Sequence, residues 1–299
     1  MRVAFLGSPD EAATALRAVV AAGHDVALVV TQPERRRRRS APPEPTPVHR
    51  AAIELGLPVV TPERAAEVGV RLRESGAELG IVVAYGRILP GDALDALPGG
   101  LVNVHFSLLP RWRGAAPVER AILAGDAETG VCLMRVDAGL DTGPVFDRAA
   151  VPVAADDTAG SLRARLAEAG ARLLVECLPS LPGRRPQPQI GPATTAPKLS
   201  IEEFRIDPYR DDAETIGRIV RAGDPRPGAW MAVGEERVKV LRAAVAAGPG
   251  PDPGCIDRDG VLGTRAGAVE LLEVRPEGRR AMGGNAFVAG RGGTAVVAP

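Results

Sequence analysis

Residues 1–30, MRVAFLGSPDEAATALRAVVAAGHDVALVV, decide the fold. Val3 to Leu6 is an apolar run of strand length that stops at the turn residues Gly7, Ser8, Pro9 and Asp10. An alanine-rich stretch from Glu11 to Ala22 follows, with Asp10 placed as its N-cap and Gly23 as its stop. Val26 to Val30 is a second apolar run, so the opening predicts a βαβ unit. The alternation continues with apolar runs at Val59-Val60, Gly80 to Ala84 and Leu101 to Val104, and with helix-like stretches at Val48 to Leu55 and Pro62 to Ser75. Strands buried on both faces read as unbroken Val/Ile/Leu runs, so the pattern predicts an α/β domain with a mostly parallel sheet covered by helices. Ligands in such sheets bind beyond the carboxyl ends of the strands. No G-x-G-x-x-G follows the first strand, which argues against a nicotinamide cofactor.

A length of 299 residues predicts two domains. With 45% hydrophobic and 25% charged residues the chain has a folded globular composition, and disorder throughout is excluded. Its 37 basic and 37 acidic residues cancel, which argues against coating nucleic acid by charge alone and leaves room for a local patch. All the basic residues except Lys198 and Lys239 are arginines. Cys132, Cys177 and Cys255 fit no disulfide framework, and with His24, His49 and His105 equally scattered no metal site is expected. Cys132 reads as a small core residue on a strand. No run approaches the roughly 18 apolar residues of a membrane helix, and no signal peptide opens the chain, so a cytoplasmic protein without a membrane partner is expected.

After a helical segment from Thr158 to Leu178 the texture changes to a proline-rich stretch without apolar periodicity. This predicts a catalytic domain over 1–181, a linker over 182–206 and a second domain over 207–299. The second domain opens with a helix-like segment, Asp212 to Ala222. It continues in short strand-like pieces, Arg237 to Leu241, Gly254 to Asp257, Gly260 to Thr264, Ala268 to Val274 and Gly293 to Ala298. Such spacing predicts a small β-barrel or sandwich.

The strand ending at Val104 runs into an unusually informative stretch, Asn103-Val104-His105-Phe106-Ser107-Leu108-Leu109-Pro110-Arg111-Trp112-Arg113-Gly114-Ala115-Ala116-Pro117. Asn103 and His105 are two apart, so on a strand they share a face at its carboxyl end. Taken singly, Asn103 also fits a residue that satisfies loop backbone, His105 a half-buried surface histidine and Asp141 a turn residue. Two other segments favour a site: the polar loop Asp137-Ala138-Gly139-Leu140-Asp141-Thr142-Gly143-Pro144, and Ala84-Tyr85-Gly86 after another strand.

Together these segments resemble the methionyl-tRNA formyltransferase family. The N-x-H and the distant Asp are shared by formyltransferases of this fold, whereas the continuation Arg111 to Pro117 is much more specific to the tRNA enzymes. The resemblance also covers Val83 to Pro90, Ala196-Pro197-Lys198-Leu199, Ile206-Asp207, Pro227-Gly228-Ala229-Trp230 and Leu272 to Gly278. It implies a Rossmann-like formyltransferase domain with a mostly parallel sheet, followed by an OB-like β-barrel that docks on tRNA. It implies 10-formyltetrahydrofolate as co-substrate and initiator methionyl-tRNA as acceptor; a monomer is expected, although the sequence itself does not give the oligomeric state. Asn103, His105 and Asp141 are then the catalytic residues. Ser107, Leu108, Leu109 and Pro110 form part of the folate contact, and Ala84, Tyr85, Gly86, Ile88, Asp137 and Gly139 line the pterin pocket. Formyl transfer to an amine passes through an oxyanion, where one donor is worth about 10²–10³ in rate, and it needs proton transfer worth roughly 10²–10⁴. Whether His105 or Asp141 moves the proton stays open at this stage. An acceptor such as an amino sugar nucleotide, or a non-catalytic RNA-binding relative, are the competing readings.

Arg35 to Arg39 form a charge run between Thr31-Gln32-Pro33 and Thr46-Pro47-Val48. From charge alone such a run is a solvated, self-repelling loop. In the family a basic loop at this place enters the acceptor arm of the tRNA, which implies tRNA contacts for Arg37, Arg38 and Arg39. The family's Gly-flanked arginine and following lysines are replaced here by consecutive arginines and prolines. Basic and acidic residues balance in the tail, so a tRNA-facing surface there rests on placement, with Arg218, Arg221, Arg237, Lys239 and Arg242 as candidates or as scattered surface charges.

Overall fold

A computed structural model describes residues 1–36 and 42–298, without the side chains of Arg35 and Arg36. Arg37, Arg38 and Arg39 lie outside the described residues. The chain divides into two compact units, Met1–Pro117 with Glu128–Pro152 and Arg163–Ala196, and Val118–Ala127 with Val153–Leu162 and Pro197–Pro299.

The first unit is built on a seven-stranded sheet in the order Val145–Pro152, Glu128–Arg135, Leu101–His105, Leu79–Val83, Arg2–Gly7, Asp25–Val30 and Val59–Val60. The pairs from Leu101–His105 to Val59–Val60 are parallel, and the two pairs beyond Leu101–His105 on the other side are antiparallel. Val3 to Leu6 and Leu79 to Val83 are buried throughout, as continuous apolar strands inside a doubly covered sheet must be. Leu6, Val30, Leu72, Leu97 and Leu101 belong to one core cluster on a sheet face.

Helix Asp10–Ala21 begins one residue earlier than expected. Pro9 occupies the N-cap position, and Asp10 sits inside the first turn with Glu11, where a negative charge meets the positive end of the helix dipole. Helix Pro47–Glu54 has a side-chain cap, Thr46, whose hydroxyl accepts the His49 N–H at 3.0 Å. Of the expected Pro62 to Ser75 helix, Ala66–Ser75 forms, and it closes on left-handed Gly76. Helix Ala159–Cys177 brings Gly170 against the His105-bearing strand, where an added Cβ would lie 2.8 Å from a Val104 methyl. The close packing therefore requires a glycine there.

The proline-rich segment expected as a linker is in part bonded into this unit. Gln187 and Val145 exchange backbone hydrogen bonds of 2.8 and 2.7 Å, and Thr195–Ala196 pair in parallel with Arg113–Gly114.

The second unit carries a six-stranded sheet in the order Ala229–Val233, Glu236–Val245, Ala268–Pro276, Val261–Gly263, Cys255–Ile256 and Ala295–Val296, all antiparallel. Register shifts near Arg242 bend the long central pair. The sheet curls far enough for its ends to meet, because Val233 bridges Val297 and the Ala298 N–H donates to the Ala232 carbonyl at 2.8 Å. This is the β-barrel expected of the tail. Helix Ala213–Gly223, capped by Asp212 through the Thr215 N–H at 2.8 Å, packs its Ile216, Ile219 and Val220 face on the sheet. Strand Ala229–Val233 and helix Gly284–Ala289 were not expected from the sequence pattern. No helix is long and apolar enough to cross a membrane among the described residues.

Candidate active site

The strand order reverses beside Arg2–Gly7, the point where open α/β sheets hold ligands. Three groups tie together the loops that meet there. The Tyr85 carbonyl accepts from Ser8 Oγ and from Gln32 Nε2, each at 3.1 Å, and the Gln32 N–H reaches Ser8 Oγ at 3.4 Å. One strand further on, Val82 pairs with Asn103, so the Ala84 loop and His105 leave the sheet at the same level.

His105 is buried at the carboxyl end of its strand. Its Nε2 lies 2.9 Å from the Trp112 carbonyl. A carbonyl only accepts, so Nε2 carries a proton and donates, and this fixes the tautomer of the neutral ring. Nδ1 then faces Asp141 Oδ2 at 3.6 Å, an ion-pair distance that is longer than a hydrogen bond. The same Oδ2 accepts the Gly114 N–H at 2.9 Å. Asn103 is half-buried on the same strand face, and no hydrogen bond ties its amide to another described residue.

Trp112 and Asp141 have φ of 62° and 52°, and Ala84 has 44°. These are the non-glycine residues with positive φ among the described residues, and all three lie in this one region. Their backbones are held by further bonds. The Trp112 N–H donates to Thr194 Oγ1 at 2.8 Å, and the Ser107 hydroxyl donates to the Arg111 carbonyl at 2.6 Å. At Gly143 any Cβ would overlap the Arg135 carbonyl, so the Asp141 loop can seat against strand Glu128–Arg135 only with glycine there.

The structure brings His105 and Asp141 together and leaves Asn103 open beside them. The expected folate-contacting residues divide. Ala84, Gly86 and Ile88 are exposed, and Leu108 and Pro110 are half-buried. Ser107, Tyr85 and Leu109 are buried: Leu109 packs with Cys132, Met134 and Val145, and Tyr85 belongs to the core of the parallel sheet. Burial pushes the Tyr85 phenol above its ordinary range, against the attraction of Arg87. The exposed Asp137 carboxylate accepts from the Gly139 N–H at 3.1 Å and the Thr142 hydroxyl at 2.7 Å, so it shapes its own loop. Cys132 is a core residue whose sulfur accepts the Leu109 N–H. In the second unit, Arg221 donates to the Asp157 carbonyl, Lys239 to the Pro227 carbonyl and Arg218 to Thr215, Arg237 stacks over Trp230 at 4.0 Å, and Arg242 is exposed. Sequence reasoning missed the Trp112 carbonyl, the Gly114 N–H and Gln189, whose side chain bonds to Arg113 and to the backbone of residues 141 and 143.

An imidazole and a carboxylate beside an open amide, one strand beyond the switch point of a mostly parallel sheet, suit group transfer, and the family match identifies a formyl transferase. Residues 1–178 match the family described as formyl transferase, and residues 198–292 match the formyl transferase C-terminal domain. The chain belongs to the methionyl-tRNA formyltransferase family. It is 50% identical over 289 residues to the methionyl-tRNA formyltransferase of Paracoccus denitrificans, covering 94% of this chain and 95% of the relative. To that of Thermus thermophilus it is 46% identical, over 94% of this chain and 93% of the relative. Among solved structures, HypX from Aquifex aeolicus in complex with tetrahydrofolic acid shares the fold at a TM-score of 0.69 and 20% identity, over 96% of this chain and 47% of that one.

Proposed function

We propose that this chain transfers the formyl group of 10-formyltetrahydrofolate to the α-amino group of initiator methionyl-tRNA. The observation that carries the mechanism is the clamped imidazole: Nε2 is committed to the Trp112 carbonyl while Nδ1 is free to take a proton facing Asp141. The half-buried, unbonded Asn103 amide and the exposed Ala84, Gly86 and Ile88 fit a formyl oxygen and a flat ring placed at the strand ends. Asn103 donates to the oxygen that becomes negative when the amine attacks. His105 Nδ1 accepts the amine's proton and returns it to the departing N10, while the Asp141 carboxylate stabilises the imidazolium. Ser107 to Pro110, Ala84 to Gly86, Ile88, Asp137 and Gly139 frame the folate, some of them through backbone alone. Arg37, Arg38 and Arg39 grip the acceptor end of the tRNA. Residues 1–181 do the chemistry and residues 207–299 dock the tRNA, joined through 182–206. The protein acts as a cytoplasmic monomer.

The test is formyl transfer from labelled 10-formyltetrahydrofolate to methionyl-tRNA, with amino sugar nucleotides and free methionine as rival acceptors. Transfer confined to methionyl-tRNA is the expected result. Faster transfer to an amino sugar nucleotide, or none to any amine, overturns the reading.

A further inference from the structure

Gln189 lies in the proline-rich stretch between the two family-matched regions. Its Oε1 accepts from Arg113 Nε at 2.9 Å and Nη2 at 2.7 Å. Its Nε2 donates to the carbonyls of Asp141 and Gly143, both at 2.8 Å. A guanidinium only donates and carbonyls only accept, so these four bonds allow one orientation of the amide. The segment carrying it is anchored on both sides, through Gln187 on Val145 and through the hydrogen bonds of Thr194 and Ala196 with residues 110–116.

What Gln189 holds is the strained part of the site. Asp141 has φ of 52°, outside the usual range of a residue with a Cβ, and such a backbone persists only where its surroundings over-determine it. The Asp141 carboxylate is steered from the other side by the Gly114 N–H, next to the Arg113 that Gln189 also holds. One side chain thus links the strip that presents Gly114 to the loop that presents Asp141. No hydrogen bond joins Gln189 to His105 or Asn103.

We infer that Gln189 is a positioning residue for formyl transfer, setting the backbone of residues 141–143 so that the Asp141 carboxylate faces His105. The inference rests on the roles proposed above for His105 and Asp141. A glutamine that merely stapled the fold would affect stability and would act independently of Asp141. A glutamine that acts through Asp141 has nothing left to do once that carboxylate is gone.

The experiment measures kcat, both KM values and Tm for the wild type, Gln189→Ala, Gln189→Glu, Asp141→Ala and Asp141→Ala combined with each Gln189 variant. Gln189→Ala is expected to lower kcat about 10–10²-fold through misplacement of the carboxylate, with both KM values little changed. Gln189→Glu keeps the volume and the Arg113 contact but cannot donate to the two carbonyls. It is expected to lose kcat comparably while its Tm stays near wild type. Each double variant is expected to turn over at the rate of Asp141→Ala alone. Wild-type turnover in Gln189→Glu, or double variants slower than Asp141→Ala by the full single-variant factor, overturns the inference and leaves the site assignment standing. Wild-type turnover in Asp141→Ala overturns the site assignment itself, and the inference with it. If Gln189→Ala does not fold, the Glu pair carries the same comparison.

Discussion

His105 has one ring nitrogen committed and one in reserve, and the rest of the site follows from that division. With Nε2 bonded to the Trp112 carbonyl, Nδ1 on the Asp141 side is the nitrogen open to a proton, and the proposed mechanism runs its proton transfer there. The three proposed catalytic residues then predict different losses. Asn103→Ala removes an oxyanion donor and is expected to lower kcat about 10²–10³-fold. His105→Ala removes the proton carrier, for about 10²–10⁴-fold. Asp141→Ala is expected to fall in the same range as His105→Ala, and the double variant little below either, because the two act as one unit. Single-turnover rates at saturating folate and tRNA measure this, and near-wild-type rates in any of the three refute its assigned role.

At the scale of elements, the loops that present these residues depend on helix and strand ends for their positions. Thr46 caps helix Pro47–Glu54 and its hydroxyl also lies 2.6 Å from that of buried Thr31, so it ties the helix start to the end of strand Asp25–Val30. Thr46→Ala is expected to cost about 1 kcal/mol of stability, read as a drop in Tm of a few degrees, and Thr46→Ser is expected to restore most of it. An unchanged Tm in Thr46→Ala would show that the cap is dispensable. Elements of this kind were legible in the sequence where the pattern is long or continuous. Val3 to Leu6 and Val26 to Val30 read correctly as buried strands because burial on both faces demands unbroken apolar runs. Asn103 and His105 read as neighbours because a strand has a period of two. Ala229–Val233 escaped because its five residues alternate between buried and half-buried, and Gly284–Ala289 because six residues starting in glycine are too short to show a helical period. Gln189 was invisible for a different reason: its partners are Arg113, Asp141 and Gly143, and nothing local in a proline-rich stretch points to residues so distant in sequence.

For the whole molecule, the exact cancellation of basic and acidic residues hides five consecutive arginines, Arg35 to Arg39. On the proposed tRNA contact, a chain neutral overall with its basic residues concentrated in one run of sequence is expected to hold RNA at that one place and let it go easily. Raising salt is therefore expected to raise KM for methionyl-tRNA steeply and to leave KM for the folate nearly flat. Replacing Arg37, Arg38 and Arg39 by alanine is expected to reduce the slope of log KM against log salt by about 2–3. Equal slopes with and without the arginines would remove them from the tRNA contact. The barrel of the second unit has a consequence of another kind. Its first strand, Ala229–Val233, finds its last neighbour only at Val297 and Ala298, so on the ribosome it emerges long before the segment that covers it. Through that interval two strand edges stand open to other nascent chains, and a chain cut short before Ala295 would keep them open for good. Late truncations of this protein should thus reveal themselves as aggregates during synthesis before any loss of activity can be measured.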